Sequence, residues 1–295
     1  MRLKLRENQT FKIVQLTDLH IGSKPYAEDD YKTFDLIEAA FTRLDADLIV
    51  LTGDLIWSHG VPQADVVYRE LMERLNQYQV PVAITYGNHD AEDEFLRADL
   101  RRIEDQILTC HVPKMNSMIV NDRESYTIEI FDSEGKRVDH VLYMFDSGAD
   151  APLPIGIYDW IHPDQVVWYN QVSQQYEAYR DSEKADAALM HIPLPEYWQA
   201  AGNIIDGDCL ETNDMISAPY INTGLFASLY MNKRVSHVFC GHDHDNNFQG
   251  DHLGMRLVYG NVSGYQCYGE LARGARIIEI KDGKIETYTI KREEF

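Results

Sequence analysis

Apolar and polar residues alternate along the first third of the chain in a pattern that predicts strand, helix, strand, helix and strand. Segments 11–17, 47–52 and 80–85 are short apolar runs that end close to a glycine or an acidic residue. Segment 31–44 carries apolar residues at helical spacing, and a second helix is predicted over 64–78. This order is typical of parallel strands joined by right-handed crossovers, so we predict an α/β fold.

The rest of the chain predicts a second group of strands with fewer helices between them. We predict strands over 117–120, 126–131, 138–145, 185–190 and 235–240, helices over 163–179 and 224–232, and a hairpin over 275–280 and 285–290. Asp282-Gly283 supplies the turn of that hairpin. The chain contains no internal repeat, low-complexity tract or Pro/Ser-rich linker, so we predict one domain over residues 1–295.

Composition and charge argue against nucleic-acid binding and against a membrane span. The chain has 27 basic and 48 acidic residues, a formal net charge of −21, which argues against a nucleic-acid groove. It contains no apolar stretch long enough to span a membrane, and its first residues lack an apolar leader segment, so we expect a cytoplasmic protein. The four cysteines stand singly and are expected to be reduced thiols; they are Cys110, Cys209, Cys240 and Cys267.

Polar side chains follow five of the predicted strands. Ligands in α/β proteins bind outside the carboxyl ends of strands, so these segments are expected to converge at one edge. Oxygen and nitrogen donors without thiolates favour borderline or hard divalent metals, and the set is too large for one tetrahedral ion. We therefore predict two divalent ions that share a bridging carboxylate. The predicted ligands are Asp18, His20, Asp54, Asn88, His191, His242 and His244.

The series D-x-H, G-D, G-N-H-D, a lone histidine and G-H-x-H resembles the motifs of the calcineurin-like metallophosphoesterases. The resemblance extends from residue 11 to about residue 280. It implies a central β-sandwich of mixed sheets flanked by helices. It also implies that Asp54 bridges two metals, one held with Asp18, His20 and His244, and the other with Asn88, His191 and His242.

Segments 158–166, 191–196 and 272–276 resemble a subgroup, the small purple-acid-phosphatase-like proteins of plants and fungi. True purple acid phosphatases have a glycine where this chain has His20, and a tyrosine ligand where it has Trp57. Without that tyrosine we expect a protein that is not purple. Mn²⁺, Fe²⁺ and Zn²⁺ all suit the predicted ligands.

The resemblance implies hydrolysis of a phosphate ester, for which we expect a phosphomonoester, by a hydroxide that bridges the metals. His89 is the expected general acid, and Asp90 is expected to orient its imidazole and raise its pKa. The substrate would be a small phosphorylated molecule or a phosphoprotein. Two alternatives stay open, namely a phosphodiesterase for cyclic-nucleotide or phospholipid-derived diesters, and a non-catalytic metal-binding scaffold.

Three features near the motifs are open to two interpretations. Segment 260–269 is rich in glycine and tyrosine, and it forms either a lip of the pocket or a plain loop. Arg273 and Arg276 are suited to pair with a phosphate, although an arginine beside a strand is usually a surface residue. His59 follows Asp54 closely and is an outside candidate for the substrate rim.

Overall fold

The computed structural model describes residues 2–92, 94–152, 154–180, 184–212 and 215–295. Its strands are β1 (Leu3–Lys4), β2 (Thr10–Leu16), β3 (Leu48–Thr52), β4 (Val82–Thr85), β5 (Met115–Val120), β6 (Arg123–Phe131), β7 (Val138–Phe145), β8 (Asp186–Leu189), β9 (Ile204–Asp206), β10 (Val235–Cys240), β11 (Gln249–His252), β12 (Met255–Tyr259), β13 (Gly274–Lys281) and β14 (Lys284–Lys291). Its α-helices are α1 (Glu28–Arg43), α2 (Ala64–Asn76), α3 (Arg97–Ile107), α4 (Pro163–Glu177), α5 (Tyr197–Ala200) and α6 (Leu225–Asn232). Every helix and strand predicted from the sequence is confirmed, with small shifts at the ends.

The first sheet contains the parallel strands predicted at the start of the chain. Its order is β14-β13-β2-β3-β4, in which β2, β3 and β4 are parallel and β13 runs antiparallel to β2. Leu16 pairs with Leu51, and Thr52 pairs with Thr85. The carboxyl ends of β2, β3 and β4 therefore lie side by side.

The second sheet is mixed. Its order is β1-β6-β7-β8-β10-β12-β11-β9, and β5 also pairs with β6. Strands β7, β8, β10 and β12 are parallel, whereas β6 and β11 run antiparallel to their neighbours β7 and β12. The carboxyl ends of β8 and β10 are adjacent, so His191 and His242 follow neighbouring strands.

The two sheets pack face to face, and helices cover their outer faces. Ile13 and Val14 are neighbours in β2 but point to opposite faces, as the strand pleat requires. Ile13 packs between the sheets, together with Leu142 of β7 and Phe239 of β10. Val14 packs instead with the apolar faces of α1, α2 and α3. Helices α4 and α6 cover the second sheet. The predicted fold, a central sandwich of mixed sheets flanked by helices, is confirmed.

Helix α3 and the hairpin of β11 and β12 were not predicted. Helix α3 buries only Leu100 and Ile103 as apolar residues, and its other buried residues are Arg97 and Glu104. Arg97 donates to Asp146 at 2.7 Å, and Glu104 accepts from tyrosine hydroxyls of neighbouring elements. Leu100, Ile103 and Ile107 do stand at helical spacing, so the sequence carried a signal for this helix that the prediction did not use.

The helices are of ordinary length. The longest one in the described ranges, α1, has 16 residues and begins with three acidic side chains. Across those ranges, no helix combines the length and apolar character needed to cross a bilayer.

Candidate metal centre

Five loops at one edge of the sandwich bring the seven predicted ligands together. Three of these loops follow β2, β3 and β4, and the other two follow β8 and β10. All seven side chains belong to residues that are at most 7% exposed. We call this group the seven-residue cluster; it consists of Asp18, His20, Asp54, Asn88, His191, His242 and His244.

The backbone at the first two loops is left-handed. Asp18, His20 and Asp54 have φ angles of 55°, 47° and 52°. Such conformations cost about 1–3 kcal/mol each and persist only where surrounding contacts hold them. Here the amide of Asp18 donates to the carbonyl of Gly53 at 3.0 Å, and the amide of His20 donates to that of Asp54 at 2.9 Å. The two loops therefore hold each other in the conformation that turns their side chains inward.

Glycines before the ligands allow close approach of the loops. A Cβ atom at Gly87 would collide with the carboxylate of Asp54, and one at Gly241 would collide with the hydroxyl of Thr17. Either collision would displace a residue of the cluster or its neighbour.

Asp54, Asn88, His191 and His242 form one half of the cluster. Nε2 of His191 lies 3.2 Å from each of three atoms, namely Oδ2 of Asp54, Oδ1 of Asn88 and Nδ1 of His242. One ring nitrogen thus faces a carboxylate oxygen, an amide oxygen and another ring nitrogen at once.

Asp54 also belongs to the other half, with Asp18, His20 and His244. Nε2 of His20 lies 3.2 Å from Nε2 of His244 and 3.6 Å from Oδ2 of Asp54. Nε2 of His244 lies 3.5 Å from Oδ1 of Asp18. The geometry therefore places Asp54 at the junction of the two halves, as a bridging ligand requires.

Backbone carbonyls orient two of the imidazoles. Nδ1 of His191 lies 2.8 Å from the carbonyl oxygen of Thr52, and Nδ1 of His244 lies 3.2 Å from that of Tyr268. A carbonyl oxygen accepts a hydrogen bond from Nδ1 only when Nδ1 carries a proton, so in the neutral form of each ring the unprotonated nitrogen is Nε2, which faces the cluster. Metal-binding histidines commonly have such second partners.

The donor set fits divalent metals. The facing nitrogens of His20 and His244 cannot bond to each other unless one is protonated, and Nε2 of His242 has no hydrogen-bond partner among the described residues. Burial lowers the pKa of His20 and of His242 to about 3, which keeps both rings neutral. Neutral imidazoles and ionised carboxylates are the forms that bind metals.

The pKa of His191 shifts the opposite way from those of His20 and His242, and its Nε2 lies 3.2 Å from Oδ2 of Asp54. Burial opposes its protonation, but the charge of Asp54 and the hydrogen bond to it raise the pKa of His191 to about 9. The reverse effect lowers the pKa of Asp54 well below its ordinary value, against the effect of burial. A metal bound here would therefore displace the proton of His191.

His89 lies at the edge of the cluster, and its partner is Glu92. Nδ1 of His89 is 3.1 Å from Oε1 of Glu92, and the His89 side chain is 30% exposed. Burial lowers the pKa of His89, but the hydrogen bond that His89 donates to Glu92 and the charge of Asp54 outweigh this effect, so the pKa is raised. The amide of His89 donates to Oδ1 of Asp54 at 2.9 Å, which ties His89 to the bridging residue.

The prediction that Asp90 orients His89 is wrong. The carboxylate of Asp90 is fully buried and accepts the amides of Asp54 at 2.9 Å, Leu55 at 2.6 Å and Gly87 at 2.8 Å. It therefore joins the loops after β3 and β4, and no oxygen remains for the imidazole. Glu92 was not singled out from the sequence, although an acidic residue three positions after the histidine was a usable signal.

Three aromatic rings border the cluster. The ring of Trp57 lies 4.0 Å from that of His20 and 4.5 Å from that of His89, measured between centroids. Its Nε1 donates to the carbonyl of Gln266 at 3.1 Å, so Trp57 is a wall of the site. Tyr158 and Tyr268 lie 4.3 Å and 4.2 Å from His242 and His244.

Arg273 and Arg276 are bonded to backbone carbonyls in the described structure. Arg276 is buried between the sheets' loops and donates to the carbonyls of Tyr259 and Asn247, each at 2.5 Å. Arg273 donates to carbonyls of the loop that precedes β13. Arg276 is buried and Arg273 is half-buried, and because both guanidinium groups bond backbone carbonyls, a structural role replaces both earlier interpretations.

This geometry agrees with the comparison with known families. A family model described as calcineurin-like phosphoesterase matches residues 11–246, a range that includes the whole seven-residue cluster. The chain belongs to this family. The resemblance of the motifs is therefore confirmed at the level of the family.

Several known proteins resemble this phosphoesterase over most of its length. It is 29% identical to the protein named probable inactive purple acid phosphatase 29 of Arabidopsis thaliana, over 95% of this chain and 79% of that one. It is 28% identical to the phosphatase DCR2 of Saccharomyces cerevisiae, over 99% of this chain and 55% of that one. A crystal structure of a dimetal phosphatase from Danio rerio shares the fold, with a TM-score of 0.65, 14% identity and 96% of each chain covered.

Proposed function

We propose that this chain hydrolyses a phosphate ester, and specifically a phosphomonoester, at a centre of two divalent metal ions. The observation that carries the proposal is the arrangement of the cluster in two halves that share the carboxylate of Asp54. The phosphatase name of the Saccharomyces cerevisiae relative supports a monoester as substrate. The substrate would be a small phosphorylated molecule or a phosphoprotein.

The two halves of the cluster define the two ligand sets. Asp54 would belong to both, with Asp18, His20 and His244 completing one set and Asn88, His191 and His242 the other. Two such ions, when bound, supply Lewis acidity toward the phosphate and an activated water as nucleophile. Their identity is proposed to be Mn²⁺, Fe²⁺ or Zn²⁺, because the donors are oxygen and nitrogen.

His89 would protonate the leaving group. Its ring is 5.5 Å from that of His20 between centroids, and its partial exposure leaves room for a substrate. Because Nδ1 bonds Glu92, Nε2 is the nitrogen left for proton transfer. The negative charge of Glu92 stabilises the protonated imidazole, so His89 would still carry the proton it donates near neutral pH.

Two alternatives make different use of the same site. A phosphodiesterase would use the same metal ligands and His89, and would differ in the walls that surround the leaving group. A non-catalytic scaffold is suggested by the word inactive in the names of three Arabidopsis thaliana relatives. Complete retention of the cluster, together with the His89–Glu92 pair, favours an enzyme.

The test is hydrolysis of two model esters after metal removal and reloading. The protein is stripped with a chelator, reloaded with Mn²⁺, Fe²⁺ or Zn²⁺, and assayed on p-nitrophenyl phosphate and bis-p-nitrophenyl phosphate. We expect metal-dependent hydrolysis of the monoester that Asp54→Asn abolishes. Preferential hydrolysis of the diester would replace the monoester proposal, and binding of two ions without any turnover would favour the scaffold.

A further inference from the structure

Cys267 lies beside the metal centre, in the loop between β12 and β13 (residues 260–273). Its Sγ atom and a ring nitrogen from each of His20 and His244 all lie within 4.8 Å of one another. Both imidazoles are almost fully buried, and Cys267 is half-buried. Nδ1 of His20 has no hydrogen-bond partner among the described residues. Cys267 lies beyond residues 11–246, the range that the family model matches.

Arg273 holds the β12–β13 loop in place from within. Its guanidinium donates to the carbonyls of Gly264 at 2.8 Å, Cys267 at 3.0 Å, Tyr268 at 3.1 Å and Leu271 at 2.7 Å. One half-buried guanidinium thereby satisfies four carbonyls that would otherwise need water. The backbone of Cys267 is positioned by these bonds and not by a metal.

Other contacts press the same loop against the cluster. The amide of Gly264 donates to the carbonyl of Asp18 at 3.0 Å, and a Cβ atom at Gly264 would collide with backbone oxygens of Asp18 and Leu19. Trp57 binds the carbonyl of Gln266, next to Cys267. On the other side of Cys267, the ring of Tyr268 stacks on that of His244, and the backbone carbonyl of Tyr268 accepts a hydrogen bond from Nδ1 of His244. The loop therefore orients one predicted ligand and carries the thiol beside it.

We propose that Cys267 is a further metal ligand, whose thiolate binds the ion held by Asp18, His20 and His244. This inference rests on the metal centre proposed above. At present Sγ donates to the carbonyl of Gly264 at 3.3 Å, and metal binding would replace that proton and release it to solvent. Two divalent ions carry four positive charges against the two carboxylates of the cluster, so a thiolate improves the charge balance.

A thiolate ligand would make the centre selective. Soft sulfur donors favour Zn²⁺, Co²⁺ and Fe²⁺, whereas Mn²⁺ and Mg²⁺ prefer oxygen ligands. The half of the cluster that contains His20 and His244 would then select the thiophilic ion. The half with Asn88 and His191 has only oxygen and nitrogen donors, and it would accept either class.

Cobalt spectroscopy tests the proposal independently of activity. The metal-free full chain is titrated with Co²⁺, and we expect visible ligand-field bands together with a near-ultraviolet sulfur-to-cobalt charge-transfer band. Cys267→Ser should remove the charge-transfer band and keep the ligand-field bands. Cys209→Ser is the matched control, because Cys209 is a half-buried thiol on another loop and should leave both features intact.

Metal affinities give a second readout. Cys267→Ser should weaken Zn²⁺ binding by about tenfold or more and change Mn²⁺ binding by about twofold or less. Ligand-field bands without a charge-transfer band in the unmodified chain would overturn the role of Cys267 and leave the metal centre standing. No cobalt absorption at all would overturn the metal centre as well.

Discussion

Oε1 of Glu92 lies 3.1 Å from Nδ1 of His89, and this contact sets the orientation of the proposed general acid. The other carboxylate oxygen of Glu92 accepts the amide of His59 at 2.9 Å and lies 3.2 Å from the hydroxyl of Ser58. Glu92 therefore joins the loop that follows β3 to the loop that follows β4. The backbone amide of His89 also donates to Oδ1 of Asp54 at 2.9 Å, which ties the second loop to the bridging residue.

His89→Ala should keep both metals and lose most turnover. His89 is outside both ligand sets, and general acid catalysis is typically worth about 10²–10⁴-fold in rate. The loss should be larger for an alkyl phosphate than for p-nitrophenyl phosphate, because the nitrophenolate leaves without protonation. Metal content and kcat on both esters check this. Equal losses on the two esters would contradict the assignment of His89 as the acid.

Glu92→Gln should lower kcat and shift the alkaline decline of the kcat–pH profile to lower pH. Glu92 raises the pKa of His89, and the acid must be protonated to act. Removing the negative charge lowers that pKa, so activity should decline at a lower pH than in the unmodified chain, with about a tenfold loss at neutral pH. A pH profile of kcat checks this. An unchanged alkaline limb would show that Glu92 does not act through His89.

Asp90→Asn should lower the stability of the fold and should not act through His89. Asp90 accepts four backbone amides, and an asparagine turns its NH₂ group toward some of these donors. A lost hydrogen bond to a charged group costs about 1.5–3 kcal/mol, so we expect the free energy of unfolding to fall by that order. Urea unfolding of the metal-free protein measures it. A shifted kcat profile with unchanged stability would restore the original role of Asp90.

His237 should make the protein sensitive to mild acid. It lies in β10, where burial, aided by the charges of Arg256 and Arg276, lowers its pKa to about 3. In the unfolded chain the imidazole of His237 takes up a proton near pH 6.5, whereas in the folded chain it stays neutral down to about pH 3. The folded state is therefore not penalised above pH 6.5, and it loses stability relative to the unfolded state as the pH falls toward 3. At about pH 5 the loss amounts to about 2 kcal/mol.

The corresponding experiment compares His237→Gln with the unmodified chain. The variant should lose less stability between about pH 7 and about pH 5, because no imidazole has to be charged. The free energy of unfolding is measured on metal-free protein, so that metal release does not contribute. Parallel slopes for His237→Gln and the unmodified chain would refute the prediction.

Local patterns in the sequence determined most of the strands, most of the helices and those residues of the cluster that lie in motifs. Short apolar strands are recognisable without knowing their partners, and chemistry at the carboxyl ends of parallel strands follows from the connection rules. His191 illustrates the limit of this reasoning. It has no motif around it, and its assignment depended on the resemblance of the whole series.

Contacts between distant segments decided the rest. Asp90 and Glu92 are one and three positions from His89, and only the path of the loop shows that the nearer carboxylate binds backbone amides while the farther one reaches the imidazole. The spacing of Leu100, Ile103 and Ile107 indicates helix α3, but only the tertiary structure shows that its buried Arg97 and Glu104 have partners. Cys267 reaches the cluster only because Arg273 folds its loop back onto Asp18. Such pairings depend on three-dimensional distance, which residue spacing does not encode.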